Sequence, residues 1–263
     1  MTPRATYLDR IVAWHRDRAA ADERDPVALE GRCRAMAPTR GFRERLRTDA
    51  ATGLAVITEV KRRSPSKGDL NVDLDPTALS LAYRDGGASC LSVLTDENFF
   101  GGSITDLQLA SAASGLPVLR KDFTVSTFDV LDARLMGADC VLLIVAALSD
   151  AELADFHGLA VSVGLDVLVE IHDEEELARA VAVGADLVGV NQRDLVTFEV
   201  DHERAVRVAA AMPDGVVRVA ESGVRGPVDA SALRAAGFHG VLVGESIVTA
   251  ADPRAAVAAL RHA

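Results

Sequence analysis

Short apolar runs recur along the chain and alternate with longer amphipathic segments. A nearly continuous apolar run is typical of a parallel strand that is buried on both faces. We therefore predict eight parallel β-strands. They extend over Ala55–Lys61, Ser89–Leu94, Pro117–Asp122, Cys140–Val145, Val167–Ile171, Leu187–Asn191, Val216–Glu221 and Gly240–Gly244.

Helical periodicity fills the intervals between these runs. The clearest examples are Ala78–Asp85, Thr127–Met136, Asp173–Val183 and Val228–Ala236. Alternation of strands and helices indicates βαβ units and a parallel sheet. Residues 1–50 precede the first strand, and their pattern predicts an amphipathic helix near residues 6–22 and shorter helical pieces to about Arg47.

A glycine motif repeats before every second predicted strand. The four copies begin at Gly87, Gly137, Gly184 and Gly237, with spacings of 50, 47 and 53 residues. Glycine suits this place because it adopts the left-handed conformation that ends many helices. Eight units with this internal period favour a closed barrel, while an open doubly wound sheet is the alternative. We predict a single (β/α)8 TIM-barrel domain over residues 1–263, with an N-terminal helical extension at 1–50 and the barrel at 51–263.

Composition limits the classes of partner. The chain has 263 residues, about the length of one such barrel, and a net charge of −11, which argues against nucleic acid and anionic membranes as partners. We expect no membrane span, no signal peptide and no cofactor. The three cysteines fit neither a metal site nor a set of disulfide pairs, so we expect a reduced, cytoplasmic protein. We expect a monomer, although the sequence does not determine the oligomeric state.

Charged side chains stand at the ends of several predicted strands. These are Glu59 with Lys61, Lys121 with Asp122, Glu170, Glu221, and Asn191 followed by Arg193. In a barrel, the carboxyl ends of the strands form the face that carries active sites. One such pair is as easily structural as functional, but a group of charges from several strands indicates a functional site.

Lysine is rare in this chain, which has 25 arginines and only Lys61, Lys67 and Lys121. All three lie at the ends of the first and third predicted strands or in the loop after the first. Lysine can release its proton near neutral pH when it is desolvated or near another cation, whereas arginine cannot. This placement indicates proton transfer or a compact ammonium contact. We expect crowding by Lys61 and Arg193 to lower the pKa of Lys121.

Phosphate-binding signals follow the last two strands. Ser222-Gly223 and Gly244-Glu245-Ser246 stand where barrels often bind phosphate through backbone N–H groups. Ser64–Gly68 adds hydroxyls and a cation to the same rim. His172 lacks suitably spaced metal ligands, and we interpret it as part of a helix cap. Phe99 and Phe100 leave two interpretations open, either a ring-binding loop or a structural anchor.

Taken together, these motifs resemble those of the indole-3-glycerol-phosphate synthase family. The resemblance covers about residues 50–250. It rests on Glu59–Gly68, Leu94–Asp96 with Phe100–Ser103, Leu119–Phe123, Gly137–Asp139, Glu170–His172, Asn191–Leu195, Ala220–Gly223 and Gly244–Ser246. It implies ring closure of 1-(2-carboxyphenylamino)-1-deoxyribulose 5-phosphate, with loss of CO2 and water, in tryptophan biosynthesis.

The resemblance also implies roles for individual residues. Lys121 would be the general acid and Glu170 its partner, while Glu59 and Lys61 would serve the dehydration. Asn191 and Arg193 would orient the substrate, and Glu221 would complete the ring of charges. The anthranilate pocket would comprise Phe100, Phe123 and Leu195. The phosphate site would comprise Ser64, Ser222, Gly223, Gly244 and Glu245, the last through its backbone.

Two departures from the family pattern and two alternative functions remain. Gln192 stands where many members carry asparagine, and Glu245 where others carry serine, which affects fine substrate contacts only. A related phosphate-binding barrel isomerase is one alternative, but its acid–base pair would be cysteine or aspartate rather than the Glu59 and Lys61 found here. A non-catalytic paralogue that binds phosphorylated ligands is the other.

Overall fold

Eight parallel strands close into a barrel in the computed structural model, which describes residues 6–64, 67–193 and 200–263. The first strand pairs with both the second and the last, so the sheet has no open edge. The predicted barrel is confirmed, and the open-sheet alternative is wrong. The strands are β1 (Ala55–Val60), β2 (Cys90–Leu94), β3 (Val118–Lys121), β4 (Cys140–Ile144), β5 (Asp166–Ile171), β6 (Leu187–Asn191), β7 (Val217–Glu221) and β8 (Gly240–Val243).

Helices surround this barrel and precede it. The predicted helical segments are found with small shifts at their ends, because caps such as Asp173 lie just outside the helices that they begin. A short antiparallel hairpin pairs Arg63–Ser64 with Gly68–Asp69 after β1. The helices are α1 (Tyr7–Ala20), α2 (Pro26–Arg34), α3 (Phe42–Ala50), α4 (Pro76–Asp85), α5 (Glu97–Phe100), α6 (Ile104–Ser114), α7 (Thr127–Leu135), α8 (Asp150–Ser162), α9 (Glu174–Ala182), α10 (His202–Ala211), α11 (Pro227–Ala235), α12 (Glu245–Val248) and α13 (Pro253–Arg261), with a 3₁₀ turn at Val145–Ala147.

Two of the N-terminal helices lie at opposite ends of the barrel. Phe42 and Leu46 of α3 are fully buried and join the core inside the barrel. Arg43 donates its backbone N–H to Asp166, where β5 begins, so α3 closes the amino-terminal end. Helix α1 instead reaches Asp96, just after β2 ends, through its buried His15. It therefore lies over the carboxyl-terminal end, where barrel active sites are built.

The glycine motif ends helices as predicted. Gly87, Gly137, Gly184 and Gly237 have φ values of 91°, 96°, 77° and 90°, which is the left-handed region that glycine adopts without strain. The three cysteines are buried and unpaired, as expected. Among the described residues, no helix combines the length and the hydrophobicity that a membrane crossing requires.

Candidate active site

A cavity of about 720 Å³ opens at the carboxyl-terminal end of the barrel. Every candidate site residue in the described part of the chain lines it. Leu195, which the family resemblance assigned to the apolar pocket, lies outside the described residues. The candidates that the cavity brings together are Glu59, Lys61, Ser64, Phe100, Lys121, Phe123, Glu170, Asn191, Arg193, Glu221, Ser222, Gly223, Gly244 and Glu245.

Lys121 lies at the centre of a group of charges on the cavity floor. Its Nζ is 2.8 Å from Oε2 of Glu221 and 3.2 Å from Oε2 of Glu170. Lys61 and Glu59 form a second ion pair beside this one. We call these five residues, Glu59, Lys61, Lys121, Glu170 and Glu221, the mouth network. Three different strands supply the carboxylates, so only the closed barrel brings them together.

The expected lowering of the Lys121 pKa is wrong. Burial by itself would lower the pKa of this ammonium, but the carboxylates of Glu221, Glu170 and Glu59 outweigh burial and raise it. Lys61, which was expected to repel Lys121, is instead paired with Glu59. Lys121 is therefore a fully protonated donor at neutral pH.

The two acids that contact Lys121 differ in their protonation. Burial raises the pKa of Glu221 to about 7, and the charges of Glu170 and Glu59 add to this effect while Lys121 opposes it. Burial has the same tendency at Glu170, but Lys121, His172 and the amide of Asn191 prevail and lower its pKa. When two neighbouring carboxylates have well-separated pKa values, one can act as a base while the other acts as an acid.

Asn191 and His172 hold Glu170 from its other side. Asn191 donates from Nδ2 to Oε1 of Glu170 at 2.9 Å, and its own Oδ1 accepts the backbone N–H of Arg193. His172 lies 4.0 Å from the same Glu170 oxygen. It also contacts Glu176 in the first turn of α9 through its backbone N–H and its ring, which agrees with the helix-cap interpretation.

The phosphate-binding candidates line the same cavity and follow β1, β7 and β8. Ser222 has φ 66°, a left-handed conformation that is rare for a residue other than glycine and is found mainly at functional sites. The buried amide of Gln192 holds this turn by donating to the Ser222 carbonyl at 2.9 Å. The Glu245 carboxylate lies 3.6 Å from Lys67, at the edge of the cavity.

An aromatic wall separates the mouth network from α1. The rings of Phe100 and Phe123 lie 6.1 Å apart, and both line the cavity with Ile11 of α1. Phe99, in contrast, packs edge-on against Tyr7 and Trp14. Phe99 therefore agrees with the anchor interpretation, whereas Phe100 faces the cavity, where binding of a substrate ring stays a prediction.

Sequence reasoning missed a second buried polar group beside the mouth network. His15 Nε2 is 2.8 Å from Asp96 and 3.8 Å from Asp122, and Asp122 pairs with Arg120 at 2.9 Å. We call these four residues the anchoring network, because they fasten α1 to the ends of β2 and β3. The available signal was the spacing of Ile11 and His15, which places the histidine on the buried side of α1.

Three members of the anchoring network have the composition of a metal site. His15, Asp96 and Asp122 each bring one potential ligand atom within 4.8 Å of the others. These residues already have protein partners. Asp96 also accepts the backbone N–H groups of Phe99 and Phe100, and Asp122 accepts hydrogen bonds from the Thr95 hydroxyl, the Arg120 guanidinium and the Phe123 backbone N–H. We therefore interpret the group as structural.

Comparison with known proteins identifies the family. The family model described as "Indole-3-glycerol phosphate synthase" matches residues 8–260, nearly the whole chain. The chain belongs to the indole-3-glycerol phosphate synthase family. A protein of Paenarthrobacter aurescens (strain TC1) named indole-3-glycerol phosphate synthase is 53% identical over 201 residues, which are 76% of this chain and 74% of that protein.

Solved structures with little sequence similarity share the fold. Thiamine phosphate pyrophosphorylase from Pyrococcus furiosus superposes with a TM-score of 0.58 at 18% identity, over 81% of this chain and 95% of that one. N-acetylmannosamine-6-phosphate 2-epimerase from Clostridium perfringens gives 0.59 at 13% identity, over 76% and 90%. At such identities the likeness concerns the barrel alone.

Family membership confirms the resemblance that the motifs carried. The chain is a carboxy-lyase of tryptophan biosynthesis with indole-3-glycerol phosphate synthase function. This assignment favours the synthase over the isomerase alternative. The roles of the individual cavity residues are a separate question.

Proposed function

We propose that the mouth network carries out the ring closure, with Lys121 as the general acid. The observation that carries this proposal is the position of the Lys121 ammonium on the cavity floor, held between Glu170 and Glu221. A protonated amine fixed by two carboxylates is oriented before the substrate arrives, so little reorganisation is needed during the reaction.

In the first step, the ring carbon that bears the carboxylate attacks the substrate's carbonyl carbon. The carbonyl oxygen becomes an alkoxide as this bond forms, and it takes a proton from Lys121. An alkoxide is more basic than an amine, so the transfer is favourable even though the carboxylates raise the pKa of Lys121. The bond to the carboxylate then breaks, CO2 leaves, and the electron pair restores the aromatic ring.

The second step is loss of water, for which we propose the Glu59–Lys61 pair and Glu170. The hydroxyl leaves with a proton from an acid, and the adjacent carbon loses a proton to a base. Lys61 lies beside the leaving hydroxyl and supplies the proton. The base is an ionised carboxylate, either Glu59 or Glu170. Turnover consumes one proton from solvent, because a carboxylate is lost as CO2.

The orientation of the substrate follows from two groups of cavity residues, one proposed to bind the phosphate and the other the anthranilate ring. We place the phosphate near Ser64, Ser222, Gly223, Gly244 and the backbone of Glu245, with Lys67 at the rim. The anthranilate ring lies against Phe100 and Phe123, where the resemblance also assigns Leu195, and Asn191 and Arg193 lie between the two ends. The substrate then spans the barrel mouth with its carbonyl over Lys121.

We further propose that one chain acts alone, as a monomeric cytoplasmic enzyme with a single domain. The support is that the described candidates all come from one chain and line one cavity. No residue of a second copy is needed to complete the charge array described above.

The proposal is tested by replacing two of the three lysines separately and following indole fluorescence. Lys121→Ala should lower kcat by about 10²–10⁴-fold, the usual contribution of a general acid. Lys67→Ala is the matched control, since Lys67 lies at the rim with a half-exposed side chain, and it should raise KM more than it lowers kcat. Appreciable turnover by Lys121→Ala contradicts the assigned role.

A further inference from the structure

Gly189 lies in the middle of β6, directly beneath the mouth network. It pairs in ordinary parallel register with Glu170 of β5 and with Val219 of β7. Glycine weakens a strand interior, and it is found there where another group must approach the backbone closely. The position therefore has a reason other than strand formation.

The approaching group is the carboxyl of Glu221. A Cβ at position 189 would overlap Oε1 of Glu221 and would stand 3.0 Å from its carboxyl carbon. Leu168, 3.3 Å from the same point, closes the space from the neighbouring side. The carboxyl thus occupies the volume that any other residue at this position would fill with its side chain.

This placement determines the environment of both carboxylate oxygens. Oε2 points to Lys121 at 2.8 Å. Oε1 lies against β6, is buried, and has no hydrogen-bond partner among the described residues. A buried polar atom without a partner is uncommon in native proteins and requires an explanation. Here the close packing against β6 excludes water from the carboxyl, and this burial is the main cause that raises the pKa of Glu221 to about 7.

We infer that Gly189 is a positioning residue, because its missing side chain provides the site in which the Glu221 carboxyl lies and from which it holds Lys121. This inference rests on the proposed roles of Lys121 and Glu221. Gly189 is absent from the cavity lining and touches no substrate in the proposed arrangement. It acts on the reaction only through Glu221.

Gly244 shows the same arrangement just after β8, two strands away from β6 in the barrel. A Cβ there would overlap Oε1 of Glu59 and would lie 3.1 Å from both its carboxyl carbon and Nζ of Lys61. Two carboxylates of the mouth network therefore each rest against a glycine, one within an adjacent strand and the other directly after an adjacent strand. Gly244 also lines the proposed phosphate site, so its substitution would mix two effects, and Gly189 is the better position to test.

The kinetic test is a double-mutant cycle of Gly189→Ala and Glu221→Ala. Gly189→Ala should lower kcat/KM by about 10-fold or more, because a displacement of about 1 Å in an active site can cost about 100-fold. In the Glu221→Ala background, which removes the clashing carboxyl, the same substitution should change kcat/KM by less than about 2-fold. Independent sites give additive effects, so an equal loss in both backgrounds overturns the inference.

Gly158→Ala is the matched control. Gly158 lies in α8, and a Cβ there would meet no atom within 4 Å. This variant should keep the wild-type kcat/KM. Thermal unfolding of all the variants establishes that the measured proteins are folded.

A crystal structure of Gly189→Ala provides a readout apart from activity. The Glu221 carboxyl should move by about 1 Å or more, since a Cβ cannot share its place. An unmoved carboxyl overturns the inference, whatever the kinetics. A moved carboxyl together with a fully active Glu221→Ala enzyme upholds the positioning but refutes the proposed role of Glu221, so the two failures are distinguishable.

Discussion

Neighbouring residues at the end of β3 enter two buried charge networks with different properties. Lys121 points into the barrel and joins the mouth network, whereas Arg120 and Asp122 point to the other side and join the anchoring network. This separation follows from the alternation of side chains along a strand. The two networks thus share a strand and a level in the barrel, yet the pKa values of their carboxyls are shifted differently.

The anchoring network is nearly complete in its hydrogen bonds. The Arg120 guanidinium donates to Asp122 at 2.9 Å, to Thr95 at 3.2 Å and to the carbonyl of Asp129 at 2.8 Å. Both oxygens of Asp122 accept hydrogen bonds. Burial opposes the ionisation of Asp122, but Arg120 and Thr95 outweigh it and lower its pKa. Such a group keeps its charge across the ordinary pH range.

The mouth network has more acids than bases and is incompletely paired. Three carboxylates face two ammonium groups, and Oε1 of Glu221 has no partner among the described residues. The consequence is a carboxyl whose pKa is raised to about 7 next to one whose pKa is lowered. Buried charge alone therefore does not distinguish a functional network from a structural one. Incomplete pairing does not distinguish them either, because Nδ1 of His15 in the anchoring network is also buried without a partner among the described residues. A carboxyl whose pKa is raised does.

The largest stability effect is expected from the anchoring network. Arg120→Met removes the guanidinium that pairs with the buried Asp122, and it should lower the free energy of unfolding by about 3–5 kcal/mol. Urea denaturation measures this loss. Lys121→Ala should cost less stability, because Glu221, whose pKa is already raised to about 7, can take up a proton when its cation is removed. If Lys121→Ala is the more destabilised variant, the mouth network and not the anchoring network contributes more to the free energy of unfolding.

A smaller effect on the free energy of unfolding is expected from Glu221, which stabilises the folded state when it is protonated. Its folded pKa of about 7 lies above its ordinary value of 4.5, so the folded state binds the extra proton. The corresponding stability is fully present below pH 4.5 and is lost as the pH rises through 7. Between pH 5.5 and 8, wild type should lose about 2 kcal/mol relative to Glu221→Gln, which remains neutral.

Urea unfolding of both proteins at the two pH values measures this difference. Effects of groups that do not interact with Glu221 cancel, since the variant retains them. A difference between the two proteins that stays constant with pH means that Glu221 is already ionised at pH 5.5, and the contrast between the networks is then lost.

The fold could be predicted from local patterns because a barrel repeats them. The eight apolar runs agree with the strands to within one residue at each end, and Gly87 and its three counterparts end helices as expected. Charged residues at the strand ends identified the mouth network for the same reason. Any closed parallel barrel places the carboxyl ends of its strands on one face.

Properties that depend on distances between strands could not be predicted. The direction of the Lys121 pKa shift depends on Glu221 and Glu170 being nearer than Lys61, and no spacing in the sequence contains that information. The role of His15 depends on where α1 lies, and that of Gly189 on the direction in which Glu221 points. These are tertiary facts about residues that are 81 and 32 positions apart in their respective pairs.

The smallest effect concerns how the anchoring network supports the cavity. His15 holds Oδ2 of Asp96, whose other oxygen caps α5 and so places Phe100. The His15 ring also packs 5.4 Å from Phe123. His15→Phe retains a ring at this site but removes the hydrogen bond, and the loss of about 1 kcal/mol should raise KM about 5-fold while kcat changes little.

Arg16→Ala is the control, because it removes a half-exposed ion pair from the same helix to Glu152 and should leave KM unchanged. Steady-state kinetics with the carboxyphenylamino substrate separates the two variants. If His15→Phe loses stability but keeps the wild-type KM, the anchoring network only holds α1 in place and does not shape the aromatic wall of the cavity.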